Sequence, residues 1–266
     1  MERKFGSLES PKDLRDFRVC SAVKAITLPK EYSLKAASIK DQGYVNSCVA
    51  HALSSMIEEK EGTIYSTGWI YGYRPEGYYQ GEGMYPREAL KTLQKLGAVQ
   101  NKNFNYNIEM QEAKKKVDDN FVLLEALADE YKIQSYARLY TEQEIKSWLY
   151  SKQTPIPIAI ATDNLQLDDK NIVQVPDYYP NSGHMMLLLG WNETGYIVQN
   201  SWGKEWGDNG LCILPYEYKI REAWGVTLAA QESTNIEATT PTFYILRKLI
   251  QFIINFIKEV INNGNK

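Results

Sequence analysis

The chain changes character near residue 134, and this change limits its fold more than any other feature. Before that point apolar residues recur at helical spacing; after it they gather in short runs separated by turns. In Cys48–Glu61 the residues Val49, Ala50, Ala52, Leu53, Met56 and Ile57 suit a helix that ends near Gly62. Pro86 opens a second helix, closed by Gly97. Residues 109–131 read as a third helical stretch, with a solvated run at Lys114-Lys115-Lys116. Between them, residues 63–83 are rich in Tyr and Gly and read as loop and turn. Past the change, residues 141–152 fit one helix, with Thr141 as N-cap and Glu144 as its capping-box partner. Segments 156–161, 185–189, 196–199 and 211–214 then read as strands. Turns at Asn192-Glu193-Thr194-Gly195 and Asp208-Asn209-Gly210 separate the last three, as in hairpins. A helical half followed by a strand-rich half predicts an α+β fold of two lobes, with a site where they meet.

Four segments follow from this reading. Residues 1–27 are polar and form an extended arm, residues 28–230 the folded body, and residues 231–241 a linker. Residues 242–266 form a strongly amphipathic helix with a wide apolar face. That helix carries Arg247, Lys248, Lys258 and Lys266 against Glu259, a net charge of +3. Three roles suit it: docking on the protein's own body, assembly with a partner protein, or lying on a membrane surface. Its charges argue against a spanning helix.

The net charge is −3 with no long basic run, which sets nucleic acid aside as the main partner. The only cysteines are Cys20, Cys48 and Cys212, so with Cys48 free at most one disulfide remains. No apolar run follows the basic residues of the first seven positions, so no Sec-type signal peptide is expected. The expected location is the cytoplasm or a particle, at most peripheral to a membrane.

The chemistry centres on Gln42-Gly43-Tyr44-Val45-Asn46-Ser47-Cys48. It sets a thiol where a loop turns into a helix, and a helix N-terminus stabilises a thiolate. Much later come Gly183-His184 and Gln199-Asn200-Ser201-Trp202-Gly203. His184 can serve as base and then acid, Asn200 can fix its tautomer, and Trp202 can shield that contact from water. Gln42 Nε2 and the Cys48 N–H can hold an oxyanion. These residue types together predict a thiol hydrolase needing no metal or cofactor. Alone, Cys48 would read as an inert buried thiol and His184 as a structural histidine. The other histidine, His51, reads as a hydrogen-bonded core residue, because the base must come from across the cleft. Asp163, Asp168 and Asp169 lack ordered ligand spacing and read as a solvated turn.

These motifs resemble the papain-like cysteine peptidases. The resemblance is carried by Asp41-Gln42-Gly43 through Cys48, by Gly183-His184, and by Asn200-Ser201-Trp202-Gly203 with Trp206-Gly207-Asp208-Asn209-Gly210. His184 and Asn200 follow Cys48 by 136 and 152 residues, against about 130–150 in the family. The resemblance implies a helical left lobe and a β-barrel-like right lobe. It implies Cys48 as nucleophile, His184 as base and acid, Asn200 as orienter and Gln42 as oxyanion donor. Gly83 and Met84 then sit where the family pairs its backbone with an extended substrate. Tyr85 and Pro86 line a pocket for an apolar P2 side chain, Gly183 offers its carbonyl near the P1 amide, and Trp206 flanks the leaving-group side. Val45 and Val49 stand where secreted members carry a disulfide cysteine and an aromatic residue. With its short N-terminal arm, the layout is similar to the bacterial and viral xylellain-like members, in which the arm can lie over the cleft. The expected activity is a cysteine endopeptidase acting on peptides or proteins through a thioester, with the arm as an inhibitory segment. An acyl transferase or amidase on the same machinery, or a particle- or membrane-associated structural protein with a secondary peptidase domain, are the other readings.

Overall fold

The computed structural model describes residues 5–13, 16, 26–73, 82–105, 110–129 and 131–229. The linker and C-terminal helix expected from the sequence lie outside these residues. A short strand, β1 (Tyr32–Ser33), comes first. Five helices follow: α1 (Cys48–Glu61), α2 (Thr67–Gly72), α3 (Pro86–Lys95), α4 (Met110–Asp119) and α5 (Phe121–Ala128). After them come β2 (Ile133–Leu139), α6 (Glu142–Lys152), β3 (Ile156–Ala161), β4 (Gly183–Trp191), β5 (Gly195–Gln199), β6 (Leu211–Pro215) and β7 (Ile220–Leu228). The strands form one sheet in the order β2-β7-β3-β4-β5-β6, with β1 also paired to β4. Its pairings are antiparallel. The class is α+β, as the sequence predicts.

Because side chains alternate along a strand, the sheet separates two cores. Met185, Leu187 and Leu189 of β4 face Leu53, Met56 and Leu90 of the helices. Met186 and Leu188 face the other way, toward Ile158, Val198 and Leu214, and toward Ile145 and Leu149 of α6. All nine residues of β4 are buried, which suits its central place. Each such apolar side chain contributes about 1.5–3 kcal/mol of burial.

Several ends follow their sequence signals. Gly62 takes the left-handed conformation (φ 67°) and donates its N–H to Glu58 O, which ends α1. The capping box at α6 is formed: Glu144 N–H donates to Thr141 Oγ1 at 3.1 Å, and Thr141 N–H to Glu144 Oε2 at 3.0 Å. The 109–131 stretch is two helices, broken at Asn120. Residues 63–83 are not all loop, because Ser66 caps α2, its Oγ accepting from Trp69 N–H at 3.0 Å. There Gly72 serves close packing rather than a turn: a Cβ on it would meet Ala113 O of α4 at 2.6 Å. Strands β1, β2 and β7 extend the sheet beyond the runs read from sequence.

Candidate active site

Two distant segments are stitched together around Gln42. Its N–H donates to Ser201 O at 2.9 Å, and Gly203 N–H donates to Lys40 O at 3.0 Å. Ser201 Oγ donates to Gln42 Oε1 at 2.7 Å, and Gln42 Nε2 donates to Val45 O at 2.8 Å. With both ends of its amide engaged and no exposure, Gln42 is held in one orientation beside the start of α1.

Cys48 is the first residue of α1 and is fully buried. Backbone N–H groups of Met185, Gly6, Val49 and Cys48 itself favour its thiolate. Burial outweighs them and pushes the thiol up to about 11. His184 lies on β4 opposite Ile160 of β3. Its Nε2–H donates to Asn200 Oδ1 at 2.7 Å, and the same oxygen accepts from Ser201 N–H at 2.8 Å. His184 Nδ1 is buried and has no hydrogen-bond partner among the described residues. That nitrogen can therefore take a proton from a thiol, and the amide of the next residue, Met185, already reaches the sulfur. Burial lowers His184 to about 4, opposed by the bond to Asn200. Thiol and imidazole are thus both uncharged at neutral pH in this arrangement. The Trp202 ring covers His184 at 4.9 Å between centroids, and Trp206 stands edge-on to Trp202 at 5.3 Å.

The cleft beside these residues holds the N-terminal arm. Phe5 packs edge-on against His184 at 5.6 Å and against Trp202 at 5.7 Å. Ser7 N–H donates to Gly183 O at 2.9 Å, and Leu8 N–H to Met84 O at 2.9 Å. Met84 N–H donates in return to Gly6 O at 2.8 Å, making a parallel bridge between Ser7 and Met84. Met84 turns its side chain into the helical core and keeps both backbone groups for this pairing. Close approach explains two glycines here. A Cβ on Gly83 (φ 95°) would meet Gly6 O at 2.9 Å, and one on Gly183 would meet Ser7 O at 2.5 Å. Tyr85 is the residue before α3 and Pro86 its first residue.

Farther along, charged residues that the sequence did not single out hold the arm. Ser10 N–H donates to Glu222 Oε1 at 2.6 Å. Glu222 also pairs with Arg138 Nη1 at 2.9 Å and accepts from Trp224 Nε1 at 2.9 Å. Arg87 Nε donates to Asp16 Oδ1 at 2.7 Å, while its Nη groups reach Asp16 Oδ2 and Pro11 O. Neither Glu222 nor Arg87 belongs to a motif, so only their place beside the arm reveals them.

His51 is buried and hydrogen-bonded, as expected. Asp168 directs Oδ1 at the N–H groups of Lys170 and Ile172, closing its own turn. Cys48 and Cys212 are free thiols, and Cys20 lies outside the described residues. Among the described residues no group of three His, Cys, Asp or Glu could hold a metal ion. No helix among them is long and apolar enough to cross a membrane.

The family model described as papain family cysteine protease matches residues 28–224. An uncharacterized peptidase C1-like protein of Acanthamoeba polyphaga mimivirus is 23% identical over 262 residues, covering 84% of each chain. A cysteine protease of Blomia tropicalis is 25% identical over 196 residues, covering 65% of this chain and 55% of the relative, about half its length. Among solved structures, xylellain, a cysteine protease from Xylella fastidiosa, superposes with a TM-score of 0.73 at 24% identity. That match covers 86% of this chain and 98% of xylellain, and it is a likeness of fold.

Proposed function

The chain belongs to the papain family of cysteine proteases and is a hydrolase, and from that premise we propose that it is an endopeptidase whose nucleophile is Cys48. One observation carries the assignment. His184 commits Nε2 to Asn200, which leaves Nδ1 as its proton acceptor on the strand whose next amide touches the thiol. Cys48 loses its proton to His184 and attacks the scissile carbonyl. Gln42 Nε2 and the Cys48 N–H receive the oxyanion, and His184 returns the proton to the leaving amine. The thioester is then hydrolysed by water that His184 activates. Asn200 keeps the imidazole in the Nε2–H tautomer throughout, and Trp202 keeps water from that bond.

Substrate binding follows the same frame. Gly83 and Met84 pair with the extended peptide, Gly183 accepts from the P1 amide, Tyr85 and Pro86 line an apolar P2 pocket, and Trp206 flanks the leaving group. Incubated with a peptide library, the protein freed of its arm is expected to enrich Leu, Val, Ile or Phe at P2. A library cut without regard to P2 would refute that pocket.

The arm serves as an inhibitor in this reading, and its direction explains why it survives. Phe5 lies on the leaving-group side, Ser7 at Gly183 and Leu8 at Met84, the reverse of a substrate's P2-to-P1′ order. The thiol therefore faces the N–H of Gly6, while the carbonyl of Gly6 is turned to Met84. No carbonyl carbon is offered for attack. Gly6 is also the one residue that fits there, because a Cβ on it would lie 2.0 Å from Asn46 O. Gly6→Ala should loosen the arm without touching the cleft. Overpacking costs about 1–3 kcal/mol, so peptidase activity of the full chain should rise roughly 5- to 100-fold. A rate unchanged by Gly6→Ala, in a peptide-cleavage assay, would speak against arm inhibition.

A further inference from the structure

Behind the His184–Asn200 pair lies a cavity with room for about one water molecule. His51, Ser55, Gln199 and Asn200 bring polar groups to its lining. Two of these residues point to what the cavity holds. Asn200 is only 2% exposed, and its Nδ2 has no hydrogen-bond partner among the described residues. His51 engages Nδ1 with Ser47 O at 2.9 Å. A carbonyl oxygen can only accept, so Nδ1 carries the proton and Nε2 is left as a bare acceptor. The cavity thus lies beside a buried donor that lacks a partner and a ring nitrogen that can only accept. Gln199 is engaged elsewhere: its Oε1 accepts from Ala37 N–H at 3.0 Å, and its Nε2 donates to Ser38 O at 3.3 Å. Ser55 accepts from Lys40 Nζ at 3.0 Å, and Lys40 in turn pairs with Glu58.

We propose that a buried water in this cavity donates to His51 Nε2 and accepts from Asn200 Nδ2, making His51 a positioning residue for the catalytic pair. This rests on the reading of His184 and Asn200 given above. The reason for such a bridge is the near symmetry of the asparagine amide. Turned over, it would present Nδ2–H to His184 Nε2. That nitrogen would then have to accept, and the proton would move to Nδ1, where it blocks uptake from the thiol. Ser201 N–H secures the oxygen end of the amide at 2.8 Å. The water secures the nitrogen end, and His51 secures the water. Burial keeps His51 neutral down to about pH 4, so the acceptor persists across the neutral range.

The test exploits the chain's having two histidines in all. In full-length protein labelled with 15N-histidine, nitrogen shifts report the tautomer of each ring without any turnover. A peptidase that proves inactive and a bridge that proves wrong therefore give different results. Wild type is expected to show His184 as a single Nε2–H tautomer. His51→Gln places an acceptor near the former Nε2, and it should retain that state. His51→Asn can still donate to Ser47 O but offers no acceptor to the cavity. Its His184 nitrogen shifts should collapse toward a common mean. Retention in both variants, loss in both, or loss only in His51→Gln would each overturn the proposal, the last by showing that Ser47 is the contact that matters. Wild type gives a second readout independent of either variant's folding. Cross-relaxation from a long-lived water to the Asn200 side-chain amide protons is expected, and its absence would overturn the bridge.

Discussion

Replacing Cys48 by alanine is expected to lower kcat on a peptide substrate by roughly 10⁴- to 10⁶-fold, the range seen when a covalent nucleophile is removed. The expectation rests on the proposed division of labour. Without the sulfur, His184, Asn200 and Gln42 still bind and orient the peptide, but no acyl bond can form. Stability should hardly change, because alanine suits a first helical position and the thiol packs as a small apolar group in the helical core. Thermal melting alongside steady-state kinetics separates the two effects. A thiol-directed peptidase inhibitor should label the wild type freed of its arm at this position and leave Cys48→Ala unlabelled. Retained turnover in Cys48→Ala would place the chemistry elsewhere.

A chain beginning at residue 28 is expected to exceed the full chain in kcat/KM by at least about 100-fold. Docking of the arm adds three main-chain hydrogen bonds at Gly183 and Met84, the Ser10–Glu222 bond and the Arg87–Asp16 pair. At about 0.5–1.5 kcal/mol net for each bond, less the entropy of ordering the arm, a closed state favoured by about 3 kcal/mol leaves under ~1% open. The protonation states give an independent check. With Phe5 and Gly6 over the site, burial holds the thiol up near 11 and the imidazole down near 4. Docking thus favours neutral forms of both. It is strongest between the ordinary values of 6.5 and 9.0. It weakens as pH falls from 6.5 toward 4, where an open His184 takes up a proton that the docked one refuses. It weakens again as pH rises from 9.0 toward 11, where an open Cys48 ionises first. Iodoacetamide should accordingly label Cys48 slowly in the full chain at neutral pH, and quickly once the arm is gone. Equal labelling rates and equal kcat/KM in the two chains would sink arm inhibition.

Local signals were legible wherever a residue acts on its own neighbours. Gly62 closing α1, Thr141 and Glu144 opening α6, and the apolar run of β3 all have causes within four residues. The same holds for the candidate site, whose residue types carry their chemistry with them. What escaped depends on distant partners. Strand β7 lies inside the sheet, between β2 and β3, yet its sequence contains Arg221 and Glu222. Glu222 is buried only because Arg138, Trp224 and Ser10 come to it from elsewhere. Helix α2 was hidden because Gly72 looks like a turn residue until α4 lies against it. The resemblance placed the arm over the cleft, but its direction and contacts are not legible in its own residues: its bonds to Gly183 and Met84 use main-chain groups, which every residue but proline possesses in full.

The reversed strand in the cleft belongs to the same polypeptide as the cleft. Its effective concentration is therefore set by the chain that joins the two and not by how much protein is present, and such intramolecular values reach the millimolar range. Under the proposed inhibition, a substrate at micromolar levels would face a competitor about a thousandfold more concentrated, whatever the dilution. One backbone cut between Asp16 and Leu28 would change this at once. The cut leaves every contact of Phe5, Gly6, Ser7 and Leu8 as it was, but turns an intramolecular ligand into a peptide that can diffuse away. In the proposed inhibition, control of the cleft would then reside in the continuity of the chain more than in the strength of any bond the arm makes.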